Sequence, residues 1–129
     1  MEKKNPIEEA KRYVANAKQI LRDKGELDTA SKSYGDKKYV RMAGNTLWNG
    51  CLIALDAVLK VREGKGRPSI DKYKEAAAKR DKKLLSAINA GYDTMHLAMG
   101  YDGNLYKNVS DAGFDLAKAI IERCALLYN

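Results

Sequence analysis

The chain has 129 residues, of which 45% are hydrophobic and 32% charged, and its formal net charge is +7 at pH 7. This length is typical of a single domain that buries its own core without disulfide staples. No apolar run approaches the roughly 18 residues of a membrane-spanning helix, and "MEKKNPIEEAKRY" lacks the apolar segment of a secretion signal. We therefore predict a cytoplasmic protein that does not associate with membranes.

The first two predicted helices have clear sequence signals. Asn5 is a good N-cap and Pro6 fits the first helical position, so helix one begins there. It ends at Gly25, which we expect in the left-handed C-cap conformation. Helix two runs from about 36 to 63 and is apolar over most of its circumference, which favours a central position. Within it, Gly44 lacks a side chain, and we expect another helix to approach closely there.

Two further helices complete the prediction. The third begins after Ser69 as N-cap and continues to Gly100, with a break predicted near Asp81. The fourth runs from about 109 to 127, with Asn108 as its cap. No segment alternates between apolar and polar residues as a strand does. The sequence therefore predicts one all-α domain, an antiparallel up-down four-helix bundle.

The single histidine, His96, is the first candidate for chemistry. On a helix it would share a flank with Asn89 and Asp93, and Asp93 could orient its imidazole as a general base requires. The simpler interpretation is a polar pair on a helix surface, because no nucleophile and no third partner accompany it. We favour that interpretation and predict that the protein is not an enzyme and has no catalytic residues.

Metal and cofactor sites are not expected. A bundle metal centre needs several His and Glu ligands, and this chain has one His. Cys51 and Cys124 lie far apart in apolar helical runs, so buried reduced thiols are predicted instead of a zinc site. Asn45 and Asn49, which flank the apolar stripe of helix two, are expected to face a polar partner or water.

The charge is distributed unevenly. Residues 1–83 carry 21 Lys/Arg and 12 Asp/Glu, whereas residues 84–129 carry 3 and 5. A basic stretch at the start of helix three forms a candidate nucleic-acid face: Lys72, Lys74, Lys79, Arg80, Lys82 and Lys83. Within this stretch Tyr73 could stack on a base. Because acidic residues are interleaved with the basic ones, we favour a solvated surface and keep RNA or nucleotide binding as the alternative.

The end of helix three and the loop after it are rich in tyrosine and methionine. Six residues there form a candidate interface or pocket: Tyr92, Asp93, His96, Met99, Tyr101 and Tyr106. Tyrosine offers a large contact area at low entropic cost and is enriched at interfaces. The same side chains could instead close one end of the bundle core, and the sequence does not separate these two interpretations.

The helical layout resembles a known superfamily. The segments "EEAKRYVANAKQIL" and "YVRMAGNTLWNGCLIALDAVL", followed by two further helices, look like the HEPN superfamily of small helical bundles. The resemblance is closer to small bacterial members in which a "YD…H" helix end precedes a "YDGN" loop, here Tyr92, Asp93, His96 and Tyr101–Asn104. It implies a helical bundle that pairs as a homodimer.

HEPN ribonucleases use an Arg, four to six intervening residues, and a His. Here the three positions at that spacing before His96 are Asn89, Ala90 and Gly91, and the nearest upstream Arg is Arg80. The resemblance therefore argues against the nuclease, although an atypical nuclease using His96 remains a third hypothesis. Our first prediction is a protein that acts through protein–protein association, with a homodimer as the expected assembly.

Overall fold

A computed structural model describes residues 5–62, 64 and 66–128, and most of them are helical. The elements are α1 (Pro6–Lys24), α2 (Lys37–Leu59), α3 (Ile70–Arg80), α4 (Lys82–Gly91), a π-helix (Tyr92–Tyr101) and α5 (Lys107–Leu127). The all-α prediction is confirmed: this part of the chain forms no strand, only isolated bridges that Ser33 makes with Asp28 and Tyr106. None of its helices is both long enough and apolar enough to cross a bilayer.

The first helix begins as predicted but ends differently. The Asn5 side chain accepts hydrogen bonds from the backbone N–H groups of Ile7 and Glu8, and Pro6 follows the cap. Gly25, however, is right-handed (φ −71°), and the left-handed residue is Glu26 (φ 51°). The prediction that Gly25 takes the left-handed conformation is therefore wrong. The Gly25 N–H still donates to the Leu21 carbonyl, as in the helix, so the chain leaves the helical conformation one residue later, at Glu26.

Helix α2 is shorter than predicted. It ends at Leu59, and residue 63, where the prediction placed its end, lies outside the described part of the chain. Lys60 takes the left-handed conformation (φ 52°) and its N–H bonds to the Asp56 carbonyl, which closes the last turn. Arg80 also donates to the Val58 carbonyl at 2.6 Å, satisfying another free carbonyl at this end.

The predicted break at Asp81 is present, and the described residues therefore form five α-helices where four helices were expected. Asp81 is extended (φ −162°), and its side chain accepts from the Leu84 N–H to cap α4. The same carboxylate binds the Arg123 guanidinium of α5, with a shortest distance of 2.6 Å. Asp81 thus stabilises the break by capping α4 and fixing it to α5. Ser69 precedes α3 as predicted but makes no side-chain cap bond.

Helix α5 begins two residues earlier than predicted. Its first residue is Lys107, so Asn108 lies inside the helix and is not the cap. The reason is pairing between the two loops at this end: Tyr34 N–H donates to the Leu105 carbonyl and Lys107 N–H donates to the Lys32 carbonyl. These bonds fix the chain direction at residues 105–107 and start the helix there.

Helix α2 lies at the centre of the fold, as its composition predicted. It contacts α1, α3, the π-helix and α5, and eleven of its residues are buried. The remaining core comes from one face of each surrounding helix, with Ile7, Leu21, Ile88, Met99 and Ile120 as its larger members. Both cysteines are buried and unpaired with each other, as expected.

Candidate functional site

The π-helix Tyr92–Tyr101 was not predicted, and it sets the geometry of the candidate site. Its hydrogen bonds join residues five apart, so each turn holds more residues than an α-helical turn. Burial in this part of the chain repeats every four residues. Gly91, Met95, Met99 and Gly103 are buried, Tyr92, His96 and Gly100 are half-buried, and Asp93, Leu97 and Tyr101 are exposed. We call the last three the exposed row.

This period corrects one assignment made from the sequence. An α-helical stripe would place Ala98 in the core after Met95, but Ala98 is only half-buried and Met99 is fully buried. Met99, predicted as an interface or pocket residue, is therefore a core residue. Its sulfur lies against Gly113 of α5, where a Cβ atom would be only 2.6 Å away.

Gly44 lets the π-helix pack directly on α2. A Cβ atom at this position would lie 2.5 Å from Met99 Cβ, 2.7 Å from the Gly100 nitrogen and 2.8 Å from the Met95 carbonyl oxygen. All three distances are shorter than van der Waals contact, so a side chain would force the two backbones apart. The close approach predicted at Gly44 is confirmed. It brings the adjacent Asn45 to the π-helix, where its Nδ2 lies 3.5 Å from the Gly100 carbonyl oxygen.

Three aromatic rings cluster beside this contact. His96 stacks on Tyr92 with ring centroids 5.0 Å apart and an interplanar angle of 29°. Trp48 of α2 meets Tyr92 edge-on at 5.8 Å and His96 at 6.4 Å. These distances fall in the range in which aromatic pairs stabilise one another. The imidazole is therefore positioned by rings and not by Asp93, which is exposed and forms no hydrogen bond with it.

The rings line a concave pocket of about 330 Å³ between α2, the π-helix and the segment before α3. Its apolar wall is formed by Leu52, Pro68, Ile70 and Tyr73 beside Trp48 and Tyr92. Its polar groups are Asn45, Asn49, Arg67 and His96. A largely apolar wall with a few polar groups is typical of a small-molecule site.

A polar network holds one side of the pocket. The Tyr73 hydroxyl donates to Asp56 Oδ1 at 2.5 Å, and one terminal nitrogen of Arg67 bonds both Asp56 Oδ2 (3.2 Å) and the Tyr73 hydroxyl (3.1 Å). Burial, followed by the hydrogen bond to Asp56, raises the pKa of Tyr73 to about 12. This hydroxyl therefore stays protonated at neutral pH and acts as a fixed donor that links α3 to α2.

The structure brings together only part of the predicted interface or pocket. Tyr92 and His96 lie in the pocket, while Asp93 and Tyr101 lie on the exposed row. Tyr106 is 63% exposed and lies apart, in a second depression with Leu27 and Lys32.

The predicted basic face is divided by internal contacts. Lys74 Nζ lies 5.6 Å above the Tyr92 ring, at the edge of the pocket. Arg80 donates to the carbonyls of Val58 and Leu127 and so caps the ends of α2 and α5. Four of the six residues are exposed and form no ion pair within the described part of the chain: Lys72, Lys79, Lys82 and Lys83. The break at Asp81 places Lys72 and Lys79 on α3 and Lys82 and Lys83 on α4.

Sequence reasoning missed Arg67 and did not connect the two asparagines with His96. Asn45 and Asn49, at i and i+4 on α2, had been expected to face a polar group or water, and both are exposed at the pocket. Their spacing of four residues, which places both on one face of α2, was the sequence signal that could have indicated a shared polar site. Among the described residues, no three His, Cys, Asp or Glu side chains cluster so as to hold a metal ion.

Comparisons with known proteins place the chain in a family. Residues 5–125 match the family model described as "Domain of unknown function (DUF5618)". The chain belongs to the DUF5618 family. This DUF5618 chain is also similar to a solved structure, a protein of unknown function from Dyadobacter fermentans. The two are 43% identical with a TM-score of 0.83, over 92% of this chain and 93% of that one. No curated protein matches the sequence. The HEPN resemblance therefore stays a prediction.

Proposed function

We propose that this DUF5618 protein is a non-enzymatic binding module that acts by protein–protein association and forms a homodimer. In this proposal it is an antiparallel four-helix bundle, HEPN-like in layout, in which α3, α4 and the π-helix together form the third helix. Its buried free thiols, Cys51 and Cys124, suit a reducing compartment, and we propose the cytoplasm.

The observation that supports association is the exposed row of the π-helix. Leu97 is 38% exposed and Tyr101 is 75% exposed, and they lie one turn apart on a helix whose opposite side is buried. Arg41 Nε donates to the Tyr101 carbonyl at 3.1 Å, which fixes this end of the row to α2. Large apolar side chains held rigidly at the surface are typical of protein interfaces.

The charges beside the row fit a two-fold contact. Asp93 lies at one end of the row and Arg41 at the other. In an antiparallel pairing of two copies, Asp93 of each would face Arg41 of the other. Such complementary charges would fix the register of the contact while Leu97 and Tyr101 supply its apolar centre.

The test is the molar mass in solution, measured by light scattering during size exclusion at several concentrations. We expect the parent protein to be a dimer and the double variant Leu97→Ser/Tyr101→Ser to be a monomer with unchanged helix content. Leu126→Ser is the matched control, because Leu126 is also 75% exposed but lies near the far end of α5. A monomeric parent protein, or a double variant that stays dimeric, would refute the proposal.

RNA binding is the second candidate, and the four exposed lysines without ion pairs support it. We expect such binding to weaken steeply with salt and to be lost in Lys82→Glu/Lys83→Glu. It should persist in Lys118→Glu, which changes an exposed lysine on α5. RNA cleavage that disappears in His96→Ala would contradict the non-enzymatic proposal and support the atypical nuclease.

A further inference from the structure

The pocket beside His96 is lined by three clustered aromatic rings. Tyr92 and His96 are stacked on each other and half-buried, and Trp48 closes the cluster from α2. A planar ring placed in the pocket can contact the parts of these rings that line it, by edge or by face, and such contacts stabilise aromatic ligands whatever their substituents. The volume of about 330 Å³ lies within the range of small-molecule sites and at its lower end.

Two carboxamides are available to the edge of such a ring. Asn45 and Asn49 lie one helical turn apart on α2 and both line the pocket. Within the described part of the chain, Asn49 makes no side-chain hydrogen bond, and Asn45 makes only the long contact of 3.5 Å with the Gly100 carbonyl. Each side chain therefore has donor and acceptor capacity left for a ligand that carries both.

The charge of the pocket favours an anion. Arg67 uses one terminal nitrogen for Asp56 and Tyr73, and its other terminal nitrogen and Nε have no partner among the residues that the structure describes, so they can bind a ligand. Lys74 adds a second positive charge at the edge, above Tyr92. The guanidinium is the side chain best suited to carboxylates and phosphates, because it donates two parallel hydrogen bonds.

We propose that this pocket binds a planar aromatic ring that carries an anionic group. The ring contacts the cluster of Trp48, Tyr92 and His96 where it lines the pocket. Its polar edge meets Asn45 and Asn49, and the anion binds Arg67. A nucleoside monophosphate and an aromatic carboxylate both have this chemistry. The site is separate from the exposed row, so it does not depend on the homodimer.

Binding can be followed with two unique reporters. Trp48 and His96 are the only tryptophan and the only histidine, and both line the pocket, so their NMR signals report on this site. Titrations would use adenosine 5′-monophosphate and nicotinate as anionic rings. Adenosine would test the ring without the anion, and ribose 5-phosphate would test the anion without the ring.

We expect one or both anionic rings to shift the Trp48 and His96 signals, with adenosine and ribose 5-phosphate each binding at least roughly tenfold more weakly. A response to the monophosphate alone identifies phosphate as the anion, and a response to nicotinate alone identifies carboxylate. The proposal is overturned if neither binds at roughly 1 mM, or if ribose 5-phosphate binds as tightly as the monophosphate.

The matched variants are Arg67→Ala and Arg62→Ala. Both arginines pair with Asp56, at 3.2 Å and 3.9 Å, but only Arg67 lines the pocket. We expect Arg67→Ala to weaken binding by roughly tenfold and Arg62→Ala to leave it unchanged. Asn49→Ala should also weaken it, while Asn16→Ala on α1 should not. Equal effects of the two arginine variants would place the anion elsewhere and overturn the assignment.

Discussion

Replacing Gly44 with alanine tests whether the direct contact between α2 and the π-helix determines the stability of the fold. The added methyl group would meet Met99 Cβ at 2.5 Å, the Gly100 nitrogen at 2.7 Å and the Met95 carbonyl oxygen at 2.8 Å. Two of these three atoms belong to the backbone and cannot rotate away. The two helices must therefore separate, or α2 must bend.

The expected size of the effect follows from two opposing contributions. Overpacking a core costs about 1–3 kcal/mol, and we take about 3 kcal/mol here because the backbone cannot yield. Alanine is favoured over glycine inside a helix by about 1 kcal/mol. The net expectation is a loss of about 2 kcal/mol of the free energy of unfolding. For a domain of this size that lowers Tm by roughly 8 °C.

Thermal and urea denaturation followed by circular dichroism would measure this change. Gly113→Ala is the graded control: its nearest contact, at 2.6 Å, is the flexible Met99 sulfur, and the next atoms are at 3.6 Å or beyond. We expect it to change stability by less than about 1 kcal/mol. Gly66→Ala, with no atom within 4 Å, should be neutral or slightly stabilising. A Gly44→Ala variant as stable as the parent protein would refute the close-packing argument.

Three further predictions concern titratable groups. The hydrogen bond from Arg123, followed by that from the Leu84 N–H, lowers the pKa of Asp81 below its usual 3.8. The stability that this shift contributes is present above pH 3.8 and is lost as pH falls through the lowered pKa. Asp81→Asn should therefore have a lower Tm than the parent protein at neutral pH, and the difference in Tm should shrink in acid. Because the pKa of Tyr73 is raised from 10.0 to about 12, the parent protein loses stability between those pH values. Tyr73→Phe should be less stable than the parent protein by about 1 kcal/mol at neutral pH. This difference in the free energy of unfolding should narrow above pH 10, and a difference that stays constant would contradict the prediction. Burial raises the pKa of both thiols, that of Cys124 to about 12, so Cys51 and Cys124 should react with a thiol reagent only after denaturation.

The parts of the fold that depend on local sequence signals were predictable. The Asn5–Pro6 helix start follows from an N-cap residue followed by proline, the break at Asp81 from a residue that caps helices well, and the close approach at Gly44 from a missing side chain. The end of α2 and the start of α5 were misplaced because contacts distant in sequence decide them. Arg80 reaches the end of α2 from 22 residues away, and the loop before α2 pairs with the start of α5.

The π-helix is a different kind of miss, because its signal was present in the sequence. Gly91, Met95, Met99 and Gly103 recur every four residues and are buried. An α-helix would rotate such a row gradually away from the core, since it has 3.6 residues per turn. The wider turn of the π-helix rotates the row the opposite way, so α4 followed by the π-helix keeps the row on the buried side. A strict spacing of four, with small or flexible residues that permit close packing, is thus the pattern to look for.

The candidate site follows from the same geometry, which is why the sequence could not assemble it. Met95 and Met99 face the core. Tyr92 and His96, which follow Gly91 and Met95 by one residue, lie at the edge of the core and contact Trp48 of α2. Gly44 removes the side chain that would separate the two helices. Trp48, one turn further along α2, then reaches those rings, and Asn45 reaches the Gly100 carbonyl. The packing that stabilises the core therefore also positions the pocket. A change at Gly44 should therefore disturb the proposed ligand binding as well as stability, although Gly44 itself does not line the pocket.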